Sequence, residues 1–296
     1  MSADEHRPIP RLDGEAVVRA IRAVGGPTLV LREPMVGGSI GAFAVERDDG
    51  TEWILTVAPP MAPGETGSPF EDARELMGLA QDWGVPAPRY ERVIPLADGS
   101  AAILQERVHG VPVTTATPAL VDHVLGLAEI RRNLVAGTRF DGRPFPLHLM
   151  TSGRGFCHHE PMRTHSVATR ALLERIEAIG AEYGDELAGS DLVHFDYTLG
   201  NVLVRAHDPD CVAAIVDWHG ARGGDLAIDL AILRFDLSWR APALGLDVEA
   251  TLRNEVDDAT FLKVWAHASL RMIDWSIRHH ESDVVDYWIE FAHRHL

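Results

Sequence analysis

The chain has 296 residues, with 27 basic and 44 acidic side chains and a formal charge of −17; Lys263 is its single lysine. Such an excess of negative charge argues against a nucleic-acid polymer or an anionic membrane surface as partner, since both are held through basic patches. It fits a cationic ligand, which an acid-lined cleft concentrates. With 46% hydrophobic and 24% charged residues, the composition is that of a folded chain. No apolar run reaches the ~18–20 residues that span a bilayer. The first fifteen residues are acidic and lack an apolar core, so no signal peptide is expected and a cytoplasmic protein is. Cys157 and Cys211 provide neither a disulfide framework nor a metal cluster.

The first quarter reads as strands and turns. Leu29-Val30-Leu31 is a short apolar run, and a glycine-dense turn follows over residues 34–41. Strands are expected over 42–47 and 53–58, with Asp48-Asp49-Gly50 as the hairpin signal between them. After a Pro- and Gly-rich loop (59–69), residues 70–83 read as a helix with Ala73, Leu76, Met77, Ala80 and Trp83 on one face. Gly84-Val85-Pro86-Ala87-Pro88 ends it. Two more strands are expected over 89–95 and 101–108, turned by Asp98-Gly99.

From Pro118 the periodicity becomes helical, over 120–136 and 167–183, with a loop over 137–164 between them. Residues 191–235 alternate short apolar runs with polar turns, and helices are expected over 252–279 and 282–295. The pattern predicts an α+β chain: a β-rich lobe over 1–107 with one helix, and a mainly helical lobe over 108–296.

The most informative stretch is Leu192-Val193-His194-Phe195-Asp196, four intervening residues, then Asn201 opening an apolar strand. Further on, Ala214-Ile215-Val216 delivers Asp217. Phosphoryl transfer uses residue types at this spacing: an Asp that accepts the proton of an attacking hydroxyl, then an Asn and a second Asp that hold Mg²⁺ against nucleotide phosphates.

These motifs resemble the aminoglycoside phosphotransferase and choline kinase family, relatives of protein kinases. The later Gly223-Gly224-Asp225-Leu226-Ala227-Ile228-Asp229 resembles antibiotic kinases of actinomycetes, such as those acting on capreomycin or viomycin. The resemblance covers roughly residues 30–240 and implies a protein-kinase-like two-lobe fold. It implies Asp196 as catalytic base, Asn201 and Asp217 as Mg²⁺ ligands, and His194 as a support for the loop. By the same likeness, Gln105, Glu106 and Arg107 would meet the nucleobase of ATP or GTP. Gly37, Gly38 and Ser39 would cover the phosphates, although a plain hairpin explains that turn equally well. Asp225 and Asp229 would structure the following segment, with Asp229 close to substrate.

One departure stands out. The family places a lysine on the third strand of the small lobe, to hold the α- and β-phosphates. This chain has Thr56 there, and the position of the partner glutamate falls near Ala73. Losing both together is coherent, because a glutamate without its lysine would be an unpaired buried charge. Arg32 or Arg47 would then be the candidates to reach the phosphates. The readings that follow are an active kinase with altered phosphate handling, or a pseudokinase or drug-binding protein on the same scaffold.

The acceptor side is expected to be acidic, with Glu160, Asp229 and Asp274 joining Asp196 at the substrate. That points to a cationic antibiotic, an aminoglycoside or tuberactinomycin-type peptide, inactivated by phosphorylation of a hydroxyl, with the protein a monomer or homodimer. Three lesser features have plainer readings. His158, His159 and His165 read as surface or substrate-wall residues, Trp218 and Trp239 as core, and Cys157 as inert.

Overall fold

A computed structural model describes residues 13–35, 41–58, 69–153 and 156–296. In chain order its elements begin α1 (Gly14–Ala23), β1 (Leu29–Pro34), β2 (Phe43–Arg47), β3 (Glu52–Ala58), α2 (Pro69–Asp82), β4 (Tyr90–Pro95) and β5 (Ala101–Glu106). They continue through β6 (Val111–Pro112), α3 (Pro118–Ile130), β7 (Phe145–Pro146), α4 (His159–His165), α5 (Val167–Tyr183), β8 (Glu186–Leu187) and β9 (Asp191–Val193). The remainder is β10 (Val202–Arg205), β11 (Asp208–Ile215), β12 (Arg222–Gly224), α6 (Ala227–Arg240), α7 (Pro242–Glu255), α8 (Asp258–His279) and α9 (Ser282–Ala292). The α+β class expected from the sequence is the class observed. No described helix is long and apolar enough to cross a membrane.

Contacts group the chain into two compact units. The first contains the described residues up to Ile130 together with Gly200–Arg222; the second contains Arg131–Leu199 and Gly223–Leu296.

The first unit is built on a five-stranded sheet of order β1-β2-β3-β5-β4, with neighbours antiparallel. Its strands lie where alternation predicts them. Gly50, at φ +80°, supplies the left-handed residue of the β2–β3 turn. One face carries Val45, Trp53, Leu55 and Leu104, packed against Val17, Val18 and Ile21 of α1. Fully burying each such side chain contributes roughly 1.5–3 kcal/mol. Helix α1 falls inside the region expected to be strands and turns. Its start is nonetheless marked, since the Asp13 carboxylate accepts the N–H groups of Glu15 and Ala16 at 3.0 and 3.2 Å. Helix α2 buries Ala73, Leu76, Met77 and Ala80 as expected, but Trp83 lies just past its end and is exposed. A second sheet, β11-β10-β6, packs against α3.

The second unit is helical around α8, which packs against α4, α5, α6 and α9. Phe235, Trp265, Trp288 and Phe291 meet ring to ring between α6, α8 and α9. Helix α6 begins within the stretch read as short apolar runs and turns, and three further boundaries differ from the sequence reading. The helix expected over 120–136 stops at Ile130, because the Arg131 carbonyl accepts from Leu192 and the Val135 N–H donates to Ser190. The loop over 137–164 contains α4. The helix expected over 252–279 is two: Val256 is extended, and Asp257 caps α8 by accepting the Thr260 N–H at 2.7 Å.

Candidate active site

The second unit presents the loop after β9. Asp229, in the first turn of α6, is fully buried and accepts the N–H groups of His194 and Phe195, each at 2.8 Å. Arg131, equally buried, donates to the same carboxylate at 2.5 Å and lies over the Tyr197 ring at 4.1 Å. This charge-assisted network holds Phe195 at φ +72°, a left-handed conformation that costs of the order of 1–3 kcal/mol for a non-glycine residue. The turn brings Asp196 outward. Its N–H donates to Nδ1 of buried His194 at 3.2 Å, so His194 supports the loop. From α8, Arg271 donates Nη2 to Asp196 Oδ1 and Nη1 to the Phe195 carbonyl, both at 2.6 Å. The Asp196 side chain stays 39% exposed, within reach of a hydroxyl.

Asp196 opens onto a pocket. Helix α6 supplies Ile232, Phe235, Asp236 and Trp239, at i, i+3, i+4 and i+7 on one face. Helix α8 supplies Ala268, Arg271 and Met272 in the same rhythm, and Thr198 completes the lining. Asp236 is committed within the protein: Oδ2 accepts the Leu199 N–H and Oδ1 the Arg240 guanidinium, at 2.9 and 2.8 Å.

The first unit brings Asn201 and Asp217 to one end of the β10–β11 hairpin. Val202 pairs with Ile215, and just outside that pair the Asn201 carbonyl accepts the Val216 N–H at 2.9 Å. Asp217 adopts φ +68°, ψ +50° and bonds to His219, with its side chain 44% exposed. Buried Tyr90 has its phenol pushed upward by burial and by the nearby Asp217 charge. An amide and a carboxylate oxygen at one half-open hairpin end suit Mg²⁺, which takes one or two protein oxygens and fills its shell with water and phosphate.

In the same unit Thr56 lies on β3 paired with Ile103, between Ile54 and Ala58 on one face. Ala73, at the expected glutamate position, is fully buried beside Leu76 and Met77, an environment hostile to a carboxylate. Arg32 and Arg47 are both ion-paired, to Glu46 and Glu91. Gln105 is buried at the end of β5, and Glu106 and Arg89 exchange hydrogen bonds. Arg107 is tied to Glu33 and Glu52. Gly37, Gly38 and Ser39 lie outside the described residues.

Over residues 33–271 the sequence matches the phosphotransferase enzyme family. The chain belongs to that family. Comparison with curated proteins finds no match. Among solved structures, this phosphotransferase is similar to aminoglycoside phosphotransferase APH(4)-Ia, with a TM-score of 0.65 at 15% identity over 95% of this chain and 98% of that one. It is also similar to the GDP complex of aminoglycoside 2'-phosphotransferase-IIIa, with 0.58 at 15% over 96% and 98%. A third is APH(3'')-Id from Streptomyces rimosus bound to ADP and streptomycin, with 0.52 at 17% over 88% and 98%. These likenesses establish a kinase-like fold.

Within the phosphotransferase, two residues expected at the substrate are internal. Asp229 is consumed by the loop it anchors. Asp274 is fully buried, bonded to Arg278 at 2.8 and 2.9 Å and to the His158 N–H at 3.1 Å. Glu160 is exposed in the first turn of α4. Glu249 is also internal: burial opposes its ionisation, but Arg234 and then His295 outweigh it and hold the carboxyl below its ordinary value. Of the three carboxylates expected beside Asp196, Asp229 and Asp274 are therefore held in internal ion pairs and Glu160 is open.

The lesser features divide. Trp218 is core, with its indole N–H on the Ile215 carbonyl, whereas Trp239 is 43% exposed at the pocket. His159 is buried between the His148 carbonyl and Glu177 rather than on a wall. Burial pushes the Cys157 thiol up to about 12, so it is inert. Sequence reasoning missed Arg271, Arg131 and the α6 face; only the last had a local signal, the i, i+3, i+4, i+7 rhythm.

Proposed function

We propose that this phosphotransferase moves the γ-phosphoryl group of ATP or GTP to a hydroxyl of a cationic antibiotic, an aminoglycoside or tuberactinomycin-type peptide, and so inactivates it. The observation that carries this reading is Asp196: a half-exposed carboxylate at the mouth of a pocket, on a loop fixed by a buried ion-pair network. In the transfer, the acceptor oxygen forms the new P–O bond, the bond from the γ-phosphorus to the β,γ-bridging oxygen breaks, and Asp196 takes the hydroxyl proton. Asn201 and Asp217 would hold Mg²⁺, which supplies countercharge to the phosphates.

Gln105, Glu106 and Arg107 would border the nucleobase, with Gly37, Gly38, Ser39 and Thr56 toward the phosphates. The division into a nucleotide lobe (1–107) and a catalytic lobe (108–296) belongs to the same proposal, as do a cytoplasmic site and a monomer or homodimer. Support for an antibiotic acceptor comes from the family and from fold neighbours bound to streptomycin or hygromycin B. The charge of −17 supports a cationic one.

The test is mass spectrometry of candidate antibiotics incubated with protein, Mg²⁺ and ATP or GTP. The expected result is the mass of one added phosphoryl group, lost in Asp196→Asn. A second reading, a pseudokinase or drug-binding protein, is favoured by Thr56 in place of a lysine. Nucleotide binding with no transfer to any acceptor would select it.

A further inference from the structure

The pocket beside Asp196 differs in character from the chain as a whole. Trp239 and Met272 stand partly open at its surface, and Ile232, Phe235 and Ala268 lie buried behind them. Its charged groups balance locally. Asp196 is paired with Arg271, and Asp236 with Arg240 and the Leu199 N–H. An ammonium group entering here meets two carboxylates whose charge Arg271 and Arg240 already offset, so the pocket gives it little attraction. Asp274, expected to face a cation, is buried in an ion pair with Arg278, as Glu249 is with Arg234.

From this we infer that the acceptor presents its reacting hydroxyl from an apolar ring face that lies against Trp239 and Met272, with its cationic groups held away from Asp196. The inference rests on the phosphotransfer reading and narrows it. The net charge of −17 acts at long range, concentrating a cationic drug near the protein. The choice of hydroxyl is made at short range by apolar contact. Burying hydrocarbon against an indole and a thioether rewards a ring face bare of amines. Leaving an ammonium there without a partner carriers the cost of its desolvation. Trp239 is thereby a specificity-determining residue, and a polycation with amines around every ring is a poor acceptor.

Two hydroxylated probes separate the cases: a macrolide lactone with one dimethylamino group, and kanamycin, which carries an amine on every ring. Calorimetric titration of wild type, Trp239→Ala and Trp239→Phe with each probe gives affinities. Transfer is followed in parallel by the added phosphoryl mass. The expected result is macrolide binding about tenfold or more tighter than kanamycin, a preference removed by Trp239→Ala and largely restored by Trp239→Phe. Because Trp239 is exposed, the thermal midpoint of Trp239→Ala should stay close to wild type. Equal or tighter binding of kanamycin overturns the inference, as does no macrolide binding or a Trp239→Ala effect equal for both probes. Trp239-dependent macrolide binding without phosphoryl transfer supports the pocket assignment and counts against the phosphotransfer reading alone. Transfer to kanamycin that ignores Trp239 does the reverse.

Discussion

The loop carrying Asp196 and the hairpin end carrying Asn201 and Asp217 are built on opposite principles. Around Asp196 the backbone is fixed from within, by a fully buried carboxylate and guanidinium and by a second guanidinium that grips both a carbonyl and the acid itself. At the hairpin end the backbone is set by strand pairing and one further N–H bond, and the Asp217 carboxylate remains half open. The difference suits the two roles proposed for them. A general base must already stand where the proton leaves, whereas metal ligands are completed by the ion and the phosphates they hold.

The sharpest way to break this contrast is Asp229→Asn. It leaves the buried Arg131 charge without its partner, so unfolding free energy in urea should fall by about 3–5 kcal/mol, with turnover lost alongside. A variant as stable as wild type would mean the network is not what fixes the loop. Asp196→Asn, at a half-open pair, should cost less stability than Asp229→Asn but lower kcat by about 100- to 1,000-fold, the usual weight of a general base. Unchanged turnover in that variant would remove Asp196 from the chemistry.

A control lies in the same unit but away from the loop. Glu249→Gln strands the buried Arg234 and should cost about 3 kcal/mol at neutral pH while sparing kcat of the folded fraction. Because the folded protein holds Glu249 below its unfolded value of 4.5, its stabilisation is present above that pH and is lost as pH falls through the lowered value. Thermal midpoints measured down the acid limb should therefore drop more steeply in wild type than in Glu249→Gln. The smallest effect belongs to the other unit. Thr56→Lys should change kcat/KM for nucleotide by less than about twofold if another group has taken over the phosphates, and a gain of about tenfold or more would favour the pseudokinase reading.

The sheet and helices α2, α5, α8 and α9 were legible because alternation and 3.6-residue rhythm are local, whereas α6 lay in a stretch read as short apolar runs and turns. So were Asp196, Asn201 and Asp217, whose spacing sits in one short stretch. Helix α4 escaped because its seven residues are too few to show a period. Arg271 escaped because its partner lies 75 residues away, a pairing that only the folded chain creates. The acidic wall misled for a related reason: counting carboxylates does not tell which will be consumed by arginines. Asp229 and Asp274 both were.

The grip of Arg271 has a bearing on product as well as rate. With Oδ1 tied to a guanidinium that also holds the Phe195 carbonyl, the Asp196 carboxylate cannot turn to follow a moving acceptor. In the proposed transfer, the direction of proton abstraction belongs to the protein's frame. A polyol offering several hydroxyls of similar reactivity should then yield one regioisomer, with the arginine acting as the stop that decides which.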